Sequence, residues 1–314
     1  MKINLTQNKN FKLFKIISKV AQENNQTVYI VGGYVRDLLM QRKAPTDIDF
    51  VTEQSGIELA KAVGKEFGDL KVSVFKTYGT AMIKYKDLDL EFVGARKESY
   101  SEDSRKPAVE TGTLEDDQKR RDFTVNALAI SLNAENFGEL IDPFNGREDM
   151  QNKILRTPLE PAQTYSDDPL RMMRAIRFAS VLHFNIEKNS LEAIKQEAER
   201  IKIVSMERIM VEFNKIMLSE KPSVGLKLME ETTLLEKIIP ELTALRGIEE
   251  VEGQTHKDNF WHTLEVVDNI SKNTDNLWLR WAALLHDIGK APTKKFVEKI
   301  GWTFHGHEFL GSKM

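Results

Sequence analysis

The sequence predicts an α+β fold, in which a mixed sheet with helices is followed by an all-helical remainder. Strand-like and helix-like segments alternate up to about residue 145, whereas the strand pattern almost vanishes beyond Asp149. All four tryptophans and five of the six histidines lie after residue 255, which indicates a separate C-terminal unit. We therefore predict three domains: a head at 1–145, a helical body at 146–245 and a helical C-terminal unit at 246–314.

Composition narrows the class of protein. A 314-residue chain with 41% apolar and 30% charged residues is typical of a multi-domain globular protein and excludes a disordered one. The net charge of −3 is not that of a strongly basic nucleic-acid binder, so any nucleic-acid contact must come from local patches. The absence of cysteine excludes disulfides and fits a reducing cytoplasm. No apolar run reaches the length of a membrane span, and we expect a cytoplasmic protein without membrane contact.

The individual elements are predicted from the spacing of apolar residues. Phe11, Phe14, Ile17 and Val20 recur at helical intervals and predict an amphipathic first helix. In the head, β-rich runs predict strands at Thr27–Val31, Asp47–Thr52, Val72–Phe75, Ala81–Tyr85 and Leu88–Val93, with helices at Tyr34–Gln41 and Ile57–Phe67. In the body, helices are predicted at Leu170–Leu182, Ser190–Ile201, Glu207–Met217 and Gly225–Glu231.

A glycine pair marks the first candidate site. The first predicted strand runs into Gly32 and Gly33, and a helix follows. This arrangement brings backbone N–H groups close to a bound anion at the positive end of the helix. A simple tight turn between strand and helix would give the same sequence.

Carboxylates on two predicted strands mark the second candidate site. Asp47 and Asp49 are two residues apart on a strand and point to one face, while Ile48 and Phe50 point to the core. Two like charges so close are costly unless a cation lies between them, and Mg²⁺ suits carboxylates and substrate phosphates. A solvated acidic pair at a strand end is the alternative. Glu91 lies between apolar neighbours on another strand and is a candidate third acidic group or an exposed side chain.

These patterns resemble a known family. Gly-Gly-x-Val-Arg-Asp from Gly32, followed by Asp-x-Asp from Asp47, is similar to the head of polymerase-β-like nucleotidyltransferases, specifically class II tRNA nucleotidyltransferases (CCA-adding enzymes) and bacterial poly(A) polymerases. Further segments match the family's later motifs in order: Arg120–Ala127, Asp142–Gly146, Asp167–Phe178 and Glu207–Ile209. The resemblance implies template-independent transfer of CMP and AMP from CTP and ATP to the 3′ end of tRNA. It implies that Asp47 and Asp49 hold two Mg²⁺ ions and that Gly33, Arg36, Arg121, Arg174 and Arg177 contact the triphosphate or ribose.

The fourth motif also has a physical interpretation. Asp168, Arg171, Arg174 and Arg177 are three residues apart, which on a helix gives a slowly winding stripe. A carboxylate beside a guanidinium offers an acceptor next to donors, as the edges of cytosine and adenine require. We therefore expect Asp168 and Arg171 to select the base. A solvated face with ion pairs is the alternative. The family usually has Glu-Asp where this chain has Asp167 and Asp168, so no role is assigned to Asp167.

The C-terminal unit carries a histidine cluster: His262, His286 with Asp287, and His305 with His307. Imidazoles beside a His-Asp pair suit a divalent metal ion that activates water. The pattern resembles the HD phosphohydrolase superfamily, which implies an additional divalent metal, at a second site, in this unit. That pattern normally closes with a later aspartate, so we expect an incomplete HD-type unit. Buried histidines in a Trp-rich helical core are the alternative.

Several functions remain open at this point. Poly(A), A-only or C-only addition fits the same motifs as CCA addition. An HD-type metal-dependent phosphohydrolase whose head recognises RNA, and an inactive RNA-binding protein, are alternatives from other classes. Intact Asp47 and Asp49 disfavour the last of these.

Overall fold

The computed structural model describes residues 1–43, 45–101 and 104–314. The chain divides into two compact units, Met1–Glu160 and Pro161–Met314. Residues 161–245 of the predicted body and the predicted C-terminal unit lie together in the second compact unit, whereas residues 146–160 of the predicted body lie in the first. The division into three domains stays a prediction. Within the described ranges, no helix is long and apolar enough to cross a membrane.

A seven-stranded mixed sheet forms the centre of the first unit. The strands of this unit are β1 (Tyr29–Val31), β2 (Asp47–Thr52), β3 (Val72–Phe75), β4 (Thr80–Tyr85), β5 (Leu88–Gly94), β6 (Arg96–Ser101), β7 (Ser104–Thr111), β8 (Ala129–Ser131), β9 (Leu140–Ile141) and β10 (Ile154–Leu155). The order in the sheet is β3-β4-β5-β2-β1-β8-β9. β2 pairs with β5 in parallel, and its other neighbour, β1, is antiparallel to it.

Helices cover the apolar face of this sheet. On this face lie α1 (Phe11–Glu23), α2 (Gly33–Leu39) and α3 (Gly56–Glu66). The remaining helices of the unit are α4 (Leu114–Lys119), whose Leu114 packs with Val31 and Val51 on the opposite face, and α5 (Gly146–Gln151). Phe14, Ile17 and Val20 of α1 are buried in one core cluster with Phe50 and Phe92 of the sheet, whose rings stack at 5.0 Å. The predicted first helix is confirmed, because its apolar stripe faces this core.

The second unit is mainly helical, as predicted. Its elements are α6 (Pro161–Asp167), α7 (Leu170–Leu182), β11 (Asn185–Ile186), α8 (Lys188–Glu197), α9 (Met206–Met217), α10 (Pro222–Glu231), α11 (Leu234–Ile238), α12 (Pro240–Thr243), β12 (Glu250–Val251), β13 (Gln254–Thr255), α13 (Asn259–Ser271), α14 (Leu277–Leu285), α15 (Lys290–Thr293), β14 (Lys295–Val297), β15 (Gly301–Thr303) and α16 (His307–Gly311). The sequence did not predict the hairpins β6–β7, β12–β13 and β14–β15. These strands are short or polar, and they lack the alternation on which strand prediction depends.

A buried arginine joins several helix ends in the second unit. Arg280 of α14 is 1% exposed and donates to the backbone carbonyls of Met217, Ser219, Ser271 and Thr274 over 2.7–3.1 Å. It also contacts the Asp275 carboxylate at 3.0 Å. The last carbonyls of α9 and α13, which lack intrahelical partners, are satisfied in this way.

Candidate functional site

The paired carboxylates lie on one face of β2. Ile48 and Phe50 are fully buried, whereas Asp47 is exposed and Asp49 half-buried, which confirms the predicted alternation. In the parallel register, Asp49 is the partner of Glu91 on β5. The three carboxylates therefore share a face at neighbouring positions of the sheet.

Burial first, and neighbouring negative charges second, raise the pKa values of these three carboxyl groups. Burial, and then Asp89, raises the pKa of Asp47. Burial also raises the pKa of Asp49, against a lowering effect of the Arg121 charge. The pKa of Glu91 is raised by burial and then by the charges of Asp49 and Asp47. A divalent cation would relieve this repulsion, and oxygen ligands of this kind suit Mg²⁺.

Gly32 lies beside these carboxylates at the start of α2. Its φ of +74° lies in the region that favours glycine. A Cβ at this position would lie 3.0 Å from Arg121 Nη1 and 3.4 Å from Asp49 Oδ2, so a side chain would crowd the site. The φ angle and the close neighbours explain the glycine at position 32, and the binding of an anion by Gly32 and Gly33 stays a prediction.

Arg36 and Arg121, both predicted to bind nucleotide, are held by anchors that sequence reasoning missed. Arg36 is buried, and it donates to Asn126 Oδ1 at 2.8 Å and to both carboxylate oxygens of Asp37. Arg121 donates through Nε and Nη2 to Asp117 Oδ2 at 3.0 and 2.9 Å. Both Asp37 and Asn126 stand inside the matched motifs, but their pairing with Arg36 depends on the fold.

The predicted arginine stripe lies on α7. Between Leu170 and Ser180 every residue is buried except Arg171, Arg174 and Arg177, so the stripe is the accessible face of this helix. Asp168 differs from the prediction, because α7 begins at Leu170 and Asp168 precedes it. The Asp168 carboxylate accepts a hydrogen bond from the Leu170 N–H at 3.3 Å.

These arginines make specific side-chain contacts. The Arg177 Nε lies 2.5 Å from Glu212 Oε2 of α9, and its guanidinium lies 3.8 Å from the centre of the Phe178 ring. The Arg174 guanidinium lies 5.6 Å from the same ring. Arg171 Nη1 is 3.4 Å from the Thr164 carbonyl. Glu212 was not predicted, since a contact between two helices leaves no local signal.

A second cluster lies in the C-terminal region. His262, His286 and Asp287 each place one ligand atom within 4.8 Å of the others, which is close enough to hold a metal ion. The Nδ1–H of His286 donates to the Ala283 carbonyl at 2.8 Å, which leaves Nε2 as the nitrogen that can bind a metal. Burial, and then the charge of Lys257, lowers the pKa of His262 and favours its neutral, ligating form. Within the described ranges, Asp47, Asp49 and Glu91 do not gather this closely.

The other two predicted histidines differ in position. His307 Nε2 lies 3.6 Å from Asp287 Oδ1, so His307 borders the cluster. His305 is exposed and lies outside the group of three. Lys290 donates to Asp287 at 2.7 Å and is a partner that the sequence did not reveal.

Comparison with protein families divides the chain into three matched segments. Residues 28–156 match the poly A polymerase head domain. Residues 183–245 match a probable RNA- and SrmB-binding site of polymerase A, and residues 259–314 match the HD domain.

Individual proteins agree with these matches. The chain is 34% identical over 301 residues to an A-adding tRNA nucleotidyltransferase of Aquifex aeolicus, covering 91% of this chain and 34% of that protein. It is 35% identical over 283 residues to a CCA-adding enzyme of Bacillus velezensis, covering 90% of this chain and 65% of that one. The chain thus spans about a third and just under two thirds of the lengths of these relatives.

Solved structures agree as well. A tRNA-processing enzyme in an apo form has a TM-score of 0.73 at 30% identity, covering 99% of this chain and 81% of that one. A tRNA nucleotidyltransferase complexed with a primer tRNA and an ATP analogue has a TM-score of 0.68 at 29% identity, covering 94% of this chain and 79% of that one. Motifs, fold and relatives together place this chain in the family of class II tRNA nucleotidyltransferases and bacterial poly(A) polymerases, with an HD domain segment after the body.

Proposed function

We propose that this chain transfers CMP and AMP from CTP and ATP to the 3′ end of tRNA, adding or repairing the terminal CCA sequence. The observation that carries the proposal is the shared face of Asp47 and Asp49 beside Gly32, within a segment that matches the polymerase head. We place the activity in the cytoplasm, in keeping with a chain that has no cysteine.

The first unit would carry the transfer itself. Asp47 and Asp49 would hold two Mg²⁺ ions, with Glu91 as a further acidic group beside Asp49. When bound, such ions stabilise the charge on attacking and leaving oxygens. The 3′ hydroxyl of the tRNA attacks the α-phosphate in line, and pyrophosphate leaves. Gly32 and Gly33 would offer backbone N–H groups to the nucleotide, and the absence of a side chain at Gly32 keeps the space beside Arg121 and Asp49 open.

Arginines would bind the triphosphate or ribose. Arg36 and Arg121 are suited to this because Asp37, Asn126 and Asp117 fix their guanidinium groups in place. A guanidinium that is already oriented loses little freedom when it binds phosphate.

In the second unit, we propose that Asp168 and Arg171 select the base and that Arg174 and Arg177 bind the triphosphate. Support comes from the arginine stripe on the accessible face of α7. Arg177 also has a second role, because its pairing with Glu212 ties α7 to α9.

The direct test uses tRNA substrates that differ in their 3′ ends. One lacks the whole CCA sequence and one ends in CC, and each is incubated with every labelled nucleoside triphosphate before the products are sequenced. We expect CCA on the first and a single A on the second. A-only addition, which the Aquifex aeolicus relative favours, would extend only the second. Long A tails would indicate poly(A) polymerase activity, and no extension would contradict the proposal.

A second candidate activity concerns the histidine cluster. His262, His286 and Asp287 are close enough to bind a divalent metal, which supports a metal-dependent phosphohydrolase. We expect His286→Ala to lose bound metal and phosphatase activity while nucleotide addition continues. His305→Ala is the matched control, because His305 is exposed and lies outside the cluster. A parent chain with no bound metal and no phosphatase activity would contradict this assignment.

A further inference from the structure

Asp117 of α4 is completely buried and lies behind the site. Its carboxylate pairs with two arginines. Oδ1 pairs with Arg120, and Oδ2 pairs with Nε and Nη2 of Arg121. The third nitrogen of the Arg121 guanidinium, Nη1, lies 3.0 Å from the position that a Cβ at Gly32 would occupy. Asp49 Oδ2 lies 3.4 Å from the same position. Nη1 contacts the Asn126 carbonyl at 3.4 Å.

Arg121 therefore has two carboxylates as neighbours, Asp117 and Asp49. It pairs at close range with Asp117, although its positive charge also acts on Asp49. The Arg121 charge lowers the pKa of Asp49 more than the Asp117 charge raises it, so Arg121 is the stronger neighbour. A guanidinium that turned fully towards Asp49 would form an ion pair and occupy the oxygens that a metal ion needs.

We propose that Asp117 is a positioning residue that keeps Arg121 from pairing with Asp49 and thereby leaves the Asp49 carboxylate available to a divalent cation. The inference rests on the proposed function, because that function places a metal ion at Asp47 and Asp49. Asp117 acts chiefly by holding Arg121, since its own charge affects Asp49 less than the Arg121 charge does.

Binding of Mn²⁺ to the substrate-free full chain tests this, with free Mn²⁺ followed by electron paramagnetic resonance. The parent and every variant in this test also carry His286→Ala, so that the metal site proposed for the C-terminal cluster does not contribute. Asp117→Asn keeps the shape of the side chain but releases Arg121, and we expect Mn²⁺ affinity to fall about tenfold. Arg121→Gln and the double variant Asp117→Asn/Arg121→Gln complete a double-mutant cycle. We expect Arg121→Gln to bind Mn²⁺ at least as tightly as the parent, and the double variant to match Arg121→Gln within about twofold. If Asp117→Asn lowers the Mn²⁺ affinity equally in the parent and in Arg121→Gln, the proposal is overturned, because Asp117 would then act by its own charge.

Removing a buried partner of two arginines can also prevent folding, so a second variant is needed. Asp117→Glu keeps the charge, and its extra methylene group pushes Arg121 towards Asp49. We expect several-fold weaker Mn²⁺ binding in the folded Asp117→Glu protein, and unchanged binding would overturn the proposal. The Mg²⁺ concentration that gives half-maximal nucleotide addition should rise in parallel.

Two further measurements separate this inference from the proposed function. Asp49→Asn must lose Mn²⁺ binding, and the parent chain must extend tRNA. A parent that binds Mn²⁺ with the predicted Asp117 dependence but adds no nucleotide would contradict the function alone. A parent that extends tRNA, with Mn²⁺ affinity indifferent to Asp117, would contradict the inference alone.

Discussion

Asp49 on β2 and Glu91 on β5 are direct partners in a parallel register, and both carboxylates point to the same face of the sheet. Neighbouring strands are about 4.8 Å apart, so these two groups repel each other wherever both are ionised. Asp47, two residues along the same strand, adds a third negative charge. The sheet thus places three carboxylates together, and a bound divalent cation would offset their negative charge.

Loss of either β2 carboxylate should abolish nucleotide transfer. We expect Asp47→Asn and Asp49→Asn each to lower kcat by about 10³-fold or more, since each removes a metal ligand. Both variants should remain folded, because removing one charge also removes repulsion. Asp87→Asn, in the exposed turn between β4 and β5, is the control and should keep parental kcat. Activity within tenfold of the parent in either site variant would contradict the assignment.

The stability of the metal-free protein should depend on pH through Asp49. Burial raises the pKa of Asp49 above its unfolded value, so the native state binds more protons between those two pKa values. The free energy of unfolding contributed by this group therefore falls as pH rises through that window. Asp49→Asn cannot ionise, and we expect its stability relative to the parent to increase with pH. Urea unfolding at several pH values, in the presence of a chelator, measures the difference; a gap that narrows with rising pH would contradict the prediction.

The part of the site that follows strand periodicity was predictable from sequence. Asp47 and Asp49 alternate with two apolar residues, and a period of two places both carboxylates on the same face of any strand that contains them. The pairing of Asp49 with Glu91 was not predictable, because the register of β2 against β5 is set by the packing of the whole sheet.

The anchors of the arginines lay beyond sequence reasoning for a similar reason. Asp117 and Arg121 have the i,i+4 spacing of a helical ion pair, but α4 ends at Lys119, and the sequence did not show that Arg121 closes this pair from beyond the end of the helix. Asp168 was placed on the same helix as Arg171 because the three-residue spacing continues through it. α7 begins at Leu170, where the helix was predicted to begin, and Pro169 separates Asp168 from it, so only the three arginines of the stripe lie on the helix.

Arg280 should be required for the stability of the second unit. Arg280→Met leaves four backbone carbonyls without their donor, and we expect the free energy of unfolding to fall by about 3–5 kcal/mol. Arg280→Lys should restore little, because an ammonium group cannot reproduce the planar fork of donors. Arg246→Met is the control: Arg246 is half exposed and pairs with Glu230, so its loss should cost less than about 1 kcal/mol. Equal losses in the Arg280 and Arg246 variants, measured by urea unfolding, would contradict the prediction.

Base selection is the most distinctive expectation for the second unit. If Asp168 and Arg171 read the base, Asp168→Ala should relax discrimination against UTP and GTP, because a matched site rejects a base that leaves buried polar groups unpaired, by ~1–3 kcal/mol per lost group. Arg174→Ala should instead lower kcat/KM for all four nucleoside triphosphates alike, because a contact with the triphosphate does not distinguish one base from another. The measurement is kcat/KM for each nucleoside triphosphate in both variants.

The structure supplies a sharper version of this experiment. The Asp168 carboxylate also accepts a hydrogen bond from the Leu170 N–H, so Asp168→Ala removes a helix-start contact together with any base contact. Asp168→Asn keeps an oxygen for that N–H and replaces the other acceptor oxygen with a donor. We therefore expect Asp168→Asn to be as stable as the parent and yet to change the CTP/UTP ratio of kcat/KM about tenfold or more. If the folded, active Asp168→Asn variant keeps the parental CTP/UTP ratio of kcat/KM, Asp168 does not select the base. Any effect of Asp168→Ala would then come from the lost contact at the start of the helix.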